Sequence, residues 1–252
     1  PSGSLYFMCD RCRTVAERPL EVLVAQLRAS CEAAARLQGG TAHYHEQCAI
    51  FRDFARAEGF LLDHNQSPDE LSSTPDEEGN EHQVWFRPQA ATFLKATWPG
   101  FFGLLVVHRH DEEPSASPID YLERWHLHNE VFGDSVVFHG AIDSPDGLRL
   151  LIEQPAIIGQ PATVDEIDHF FTSSGWKSLR IDGNLAFFDP HRNLVISDTH
   201  VGNIITMPNG ISCMLAAGES WERLPPLAVA SPAGPGAGGG AVRRSCNAAS
   251  AD

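Results

Sequence analysis

"NLVISDTHVGNIITMPNG", Asn193 to Gly210, has two apolar runs flanking Asp198, Thr199, His200, Val201, Gly202 and Asn203, and closes on a Pro-Asn-Gly turn. Two phosphate chemistries use a segment of this kind. In a two-metal phosphoesterase, an Asp-x-His pair at a strand end reaches one of the metals. In a phosphoryl-transfer loop, an Asp orients the acceptor hydroxyl and an Asn five residues on coordinates Mg²⁺. Asp198 and His200 match the first pattern, and Asp198 and Asn203 match the second.

The residues downstream separate the two. A two-metal site needs further carboxylates and histidines. After Asn203 there is no histidine, and the only acids are Glu219, Glu222 and Asp252. The phosphoesterase reading therefore lacks its ligands. The transfer-loop reading keeps Asp198 as catalytic base and Asn203 as metal ligand, set between two short apolar runs.

Upstream segments supply matching parts. Lys95 stands mid-strand in "TFLKAT", where the alternatives are an exposed alternating position and a lysine that reaches nucleotide phosphates. The helix "YLERWHLHNEV" offers Glu123 as its partner, with Glu130 on the same face as a rival. A Gly79 turn precedes the lysine strand and is a candidate cover for phosphates, although no Gly-x-Gly-x-x-Gly is present. In "LRLLIEQP", the backbone near Glu153 and Gln154 is the candidate adenine edge.

The pattern around these parts is α+β. Leu20, Val24, Leu27, Cys31 and Ala34 recur at helical steps, and Gly39-Gly40 ends that run. A second helix spans about Tyr44–Glu58, followed by a short strand "FLLD" and a polar loop over 64–81. "HQVWF" and "TFLKAT" read as strands. "SPIDYLERWHLHNEVFG" reads as a helix with Ser117 as N-cap and Gly133 as exit. Strands "SVVFHGAI" and "LRLLIE" follow, then a helix with a capping box at Thr163 and Glu166. "LAFF", "LVIS", "NIIT" and "ISCML" read as further short strands. Residues 224–252 are Pro/Gly/Ala-rich and are expected to be disordered.

Composition excludes several classes. The 252 residues carry a net charge of −15, which argues against a nucleic-acid binder. No apolar run approaches the roughly 18–20 residues of a membrane helix, and no secretory signal is visible. The chain starts at Pro1, as expected of a fragment or a processed form. Six scattered cysteines suggest no disulfide framework, so a reducing cytoplasm is the expected compartment. Cys9 and Cys12 form half of a zinc motif without a second half, and a frayed terminus is the plainer reading. His108 and His110 read as solvated loop histidines. His126 and His128 fall on different helix faces and cannot share a metal. Trp85, Trp98, Trp125 and Trp176 read as core or rim packing.

Taken in order, "GNEHQVWF", "FLKATWPGFFG", "DYLERWHLHNEVFGD", "SPDGLRLLIEQPAIIGQPAT", "EIDHFFTSSGWK" and "FFDPHRNLVISDTHVGNIITMPNG" closely resemble the kinase-like domain of bacterial and phage polyvalent proteins. The resemblance runs from about Ala42 to Gly218. It implies a bilobal protein-kinase-like fold with an N-lobe over about 42–153 and a small C-lobe over about 154–223, preceded by a segment, 1–41, with one helix. It also implies an ATP and Mg²⁺ site and a protein or small-molecule phosphoacceptor. Under it Lys95 contacts phosphate, Glu123 pairs with Lys95, Asp198 is the base and Asn203 holds metal. One departure stands out. The family carries a second metal-binding Asp after the hairpin, where this chain has Ala216. A catalytically inactive, nucleotide-binding or protein-interaction module is therefore the alternative expectation.

Overall fold

The computed structural model describes residues 19–38, 44–63, 65–105, 115–157, 159–181, 183–207, 210–213 and 221–223. Four α-helices are present among them: α1 (Leu20–Gln38), α2 (Tyr44–Ala57), α3 (Pro118–Phe132) and α4 (Val164–Ser173). The strands are β1 (Glu77–Glu78), β2 (His82–Arg87), β3 (Thr92–Thr97), β4 (Val137–Ser144), β5 (Gly147–Pro155) and β6 (Gln160–Pro161). They continue as β7 (Lys177–Ile181), β8 (Asn184–Asp189), β9 (Leu194–Ile196), β10 (Ile204–Met207), β11 (Gly210–Cys213) and β12 (Trp221–Arg223).

The first five strands form one antiparallel sheet in the order β1-β2-β3-β5-β4. The helix α3 is inserted between β3 and β4. This segregation of helices and antiparallel strands is an α+β arrangement. Register assigns the faces. Val84, Lys95, Ile152 and Phe138 are successive cross-strand partners and share one face. Trp85, Leu94 and Glu153 share the other. Ile152 and Phe138 join the main core with α3, whereas Trp85, Leu94, Ala96 and Leu151 form a smaller cluster with Leu71. Lys95 therefore points into the layer between sheet and helix.

Local chemistry sets the ends of α3. Ser117 accepts from the Asp120 N–H, and Asp120 returns a bond to the Ser117 N–H at 2.8 Å. Pro118 occupies the first turn, and Gly133 leaves it in a left-handed conformation, φ 66°. On α1, Leu20, Leu23, Val24 and Leu27 are all buried and share the core with α3.

The later strands make two smaller sheets, β12-β9-β8-β7 and β11-β10-β6. The capping box of Thr163 and Glu166 starts α4 as expected. Phe171 of α4 stacks on Phe187 of β8 with centroids 4.4 Å apart, and meets Phe132 of α3 edge-on at 6.4 Å. The main core is continuous from Leu20 to Ile204.

Two expectations need correction, and one strand went unread. "FLLD" makes only an isolated bridge, Leu61 to Ala141. The polar stretch before β2 contains a 3₁₀ turn, Asp69–Ser72, and β1. "KSLRI" is a strand, β7, that the sequence hides. It lies at a sheet edge with Lys177, Ser178 and Arg180 exposed, so it has little apolar alternation to read. The residues from 224 onward, Ala216, Cys9, Cys12, His108 and His110 lie outside the described residues.

Candidate functional site

The loop between β9 and β10 is organised around Asp198. All three residues of β9 are buried, so the chain emerges from the core at Ser197. Asp198 has φ 58°, a left-handed conformation that costs a non-glycine residue roughly 1–2 kcal/mol and that Asp tolerates better than most. Asn203, only 1% exposed, holds it there. The Asn203 Nδ2 donates to the Asp198 carbonyl at 3.0 Å and to Asp198 Oδ2 at 3.2 Å. The backbone closes the turn through His200 N–H to Asp198 O and Asn203 N–H to His200 O, both 2.9 Å. Thr199 Oγ1 donates to Leu185 O at 2.9 Å and ties the loop to β8. His200 Nδ1 accepts from the Gly202 N–H at 3.0 Å, which places any ring proton on Nε2, 3.7 Å from Asp198 Oδ1. Asp198 and Asn203 are thus brought together as the spacing predicted, with the carboxylate partly open to solvent.

Lys95 is 3% exposed, so the exposed-strand alternative is excluded. Its Nζ lies 5.3 Å from the centroid of the Trp125 ring. Tyr121, Arg124, Trp125 and His128 recur at helical steps on α3, and each is buried. The His82 Nε2 and Tyr121 hydroxyl are 2.8 Å apart. Arg124 forks onto the Glu81 carboxylate with both terminal nitrogens and donates to Phe102 O at 2.8 Å. Burial pushes the Glu81 carboxyl up, against the pull of Arg124 and Lys95. Burial, with Lys95 and Arg124 nearby, pushes His82 well below its usual range and keeps it neutral.

Glu123 departs from its expected role. It stands two residues, or about 200° of helix, from Trp125, on the far side of α3. There it pairs with Arg28 of α1. Its rival Glu130, seven residues on, falls on that same side and is exposed. Neither Glu123 nor Glu130 is on the face that carries Trp125.

The remaining nucleotide candidates have structural partners. Glu153 accepts from Arg87 Nη1 at 2.6 Å and Thr92 Oγ1 at 2.8 Å, on the sheet face away from α3. Gln154 is fully buried and donates to Asp134 Oδ2 at 3.0 Å, which also sits 2.9 Å from His128 Nε2. Both residues are registered within the sheet, and the chain leaves it only after Pro155, at Ala156. Gly79 gives its N–H to His82 O at 2.8 Å and receives Trp98 Nε1 at 2.9 Å. With its N–H committed to that turn, Gly79 has no backbone donor to offer a phosphate.

The family model described as the serine/threonine/tyrosine kinase found in polyvalent proteins matches residues 44–215. The chain belongs to this family. No curated protein and no solved structure matches it. In this polyvalent-protein kinase domain the match begins at the first residue of α2, so α1 lies outside it while sharing its core. Sequence reasoning missed Glu81, Arg124 and Asp134. Glu81 is the residue before the alternating run of β2, and nothing in that position marks it as buried. His126 and His128 lie on different sides of α3, as read from the sequence: His128 is buried against Asp134, and His126 is only half-buried. Among the described residues no helix is long and apolar enough to cross a membrane.

Donor chemistry bears on magnesium and nucleotide. No group of three or more His, Cys, Asp or Glu side chains is placed to hold a metal among the described residues. Asp198 and Asn203 together supply one carboxylate and one amide oxygen. That set suits a Mg²⁺ that takes its other ligands from phosphates and water. Near Lys95, the buried His82 Nδ1 and Trp125 Nε1 have no hydrogen-bond partner among the described residues. Orphaned polar atoms beside a cation fit a corner that receives an anionic group.

Proposed function

We propose that this domain is an ATP-dependent phosphotransferase of two-lobed, protein-kinase-like build, working in the cytoplasm on a protein or small-molecule hydroxyl. The observation that carries the reading is the Asp198–Asn203 pair, locked by two hydrogen bonds in the loop between β9 and β10. Asp198 orients the acceptor hydroxyl and takes its proton as the new oxygen–phosphorus bond forms and the bond to the leaving ADP oxygen breaks. Asn203 keeps the Asp198 carboxylate in register, and its Oδ1 with Asp198 would hold magnesium. Bound magnesium would neutralise charge on the β- and γ-phosphates. Lys95 supplies the cationic contact to phosphate from the sheet.

The test is a thermal shift with ATP, with and without Mg²⁺, on the unmodified protein, Lys95→Ala and Asp198→Asn. A ligand that binds only the folded state raises stability by about 2.7 kcal/mol at a hundredfold excess over Kd. The expected result is a magnesium-dependent shift that both variants reduce. Absent or metal-independent ATP binding overturns the active-enzyme reading. Ala216 favours a second reading, a nucleotide-binding module without turnover. That reading predicts ATP binding with no phosphoryl transfer to a panel of protein and small-molecule acceptors.

A further inference from the structure

His200 stands between Asp198 and Asn203 in the β9–β10 loop, and phosphoryl transfer as described above gives it no task. Its ring is nevertheless held. The side chain is 58% exposed, yet Nδ1 accepts from the Gly202 N–H at 3.0 Å. The ring also lies against Gly202, where a Cβ would come within 2.9 Å of His200 Cε1 and 3.1 Å of Nδ1. A ring whose Nδ1 is an acceptor carries its hydrogen on Nε2, as a donor. That nitrogen is 3.7 Å from Asp198 Oδ1. The other carboxylate oxygen, Oδ2, is the one that Asn203 Nδ2 holds at 3.2 Å. A gap of 3.7 Å is too long for a direct hydrogen bond. One oxygen atom, set to the side at ordinary distances of about 2.7–3.0 Å from each group, bridges it.

We propose that His200 Nε2 and Asp198 Oδ1 form a two-point clamp on the oxygen of the acceptor hydroxyl, which makes His200 a further catalytic residue. This rests on the reading of Asp198 as the base. The Nε2–H donates to the acceptor oxygen, and that oxygen donates its own hydrogen to Oδ1. In transfer the hydroxyl proton passes to Oδ1, the oxygen–phosphorus bond forms through the lone pair that Nε2 leaves open, and the bond to the ADP oxygen breaks. His200 keeps its proton throughout and only orients. The clamp selects a neutral hydroxyl. An ammonium has no lone pair to offer the Nε2–H, and a carboxylate has no proton for Oδ1 and is repelled by its charge.

Three variants of the full chain separate the donor from the ring. His200→Asn keeps an acceptor near the Nδ1 position for Gly202 and removes the outer donor. His200→Gln reaches the Nε2 position with an amide nitrogen. Gly202→Ala leaves His200 in place and forces its exposed ring aside. The probe is Mg²⁺–ATP with water as the acceptor hydroxyl, read as phosphate release. The expected kcat is about tenfold to a hundredfold lower in His200→Asn and Gly202→Ala, with partial recovery in His200→Gln and a Mg²⁺–ATP Kd within about twofold of the unmodified protein in all three. Full kcat in His200→Asn or Gly202→Ala, no recovery in His200→Gln, or a loss carried by Kd overturns the proposal. Ring-nitrogen NMR on the unliganded protein reads the clamp without turnover. It should show the His200 hydrogen on Nε2, and a hydrogen on Nδ1 overturns the clamp. An unmodified protein that binds no Mg²⁺–ATP, or binds it and releases no phosphate, overturns the active-transfer reading and the clamp with it, whereas turnover that survives His200→Asn overturns the clamp alone.

Discussion

Gly103 has no side chain, and the space a methyl group would need is occupied by Glu81. A Cβ there would lie 2.6 Å from Glu81 Oε2 and 2.9 Å from Arg124 Nη2, at φ 87°. Neither ionic partner can retreat without breaking the fork between them. Gly103→Ala is expected to cost about 2–4 kcal/mol, combining a strained backbone with overpacking. Ala91 is the opposite case. It is exposed at the end of the β2–β3 turn with φ 52°, a left-handed conformation held by an alanine. Relief of roughly 1–2 kcal/mol of strain exceeds the extra chain entropy that glycine loses on folding, so Ala91→Gly is expected to stabilise by about 0.5–1 kcal/mol. Urea unfolding checks both, with midpoints moving in opposite directions and slopes unchanged. A loss of stability in Ala91→Gly would contradict the strain argument.

At the scale of elements, the two capping boxes make a graded comparison. Ser117 is 2% exposed and Asp120 is half-buried, whereas Thr163 and Glu166 lie at the surface. A lost cap costs about 0.5–2 kcal/mol, with more expected where the orphaned donor is buried. Ser117→Ala should therefore lower stability more than Thr163→Ala, and equal losses would show that burial of the cap adds nothing. These caps were legible in the sequence because their chemistry is local: a hydroxyl, an acid three residues on, and an apolar run. The loop pair Asp198 and Asn203 was legible for the same reason. The buried pair of Glu81 and Arg124 was not. Eight residues of α3 are buried, with Leu122 and Leu127 in the core alongside Trp125 and His128. A helix covered on both sides has no polar stripe to show which side meets the sheet. Only the packing of α1, with Arg28 reaching Glu123, settles that side. The edge strand β7 escaped notice for the converse reason, having almost no apolar face to detect.

At the scale of the molecule, the described interior encloses two histidines, His82 and His128, that must stay neutral. Burial lowers the pKa of His82, with Lys95 and Arg124 adding to the effect. Burial also lowers His128, against the hydrogen bond and charge of Asp134. His139 is lowered as well, by burial and Arg87, though it is partly open to solvent and counts for less. The sign follows from proton counting. An unfolded histidine titrates near 6.5, so below that pH the unfolded chain binds protons that the folded chain refuses. Stability is then fully present above about pH 6.5 and falls as the pH drops toward each lowered folded value. Asp134 behaves differently. Burial alone would raise it, but the bonds from His128, Gln154 and the Ser135 N–H outweigh burial and lower it. Its contribution therefore persists until the pH falls below about 4, through the usual carboxylate range. The two deeply buried histidines act in the same direction, so stability is expected to decline as the pH drops below about 6.5. Urea midpoints at pH 7.5, 6.5, 5.5 and 5.0 measure the decline. A flat profile down to pH 5 would mean that His82 and His128 protonate without cost, and that the layer between sheet and helix holding Lys95 admits water.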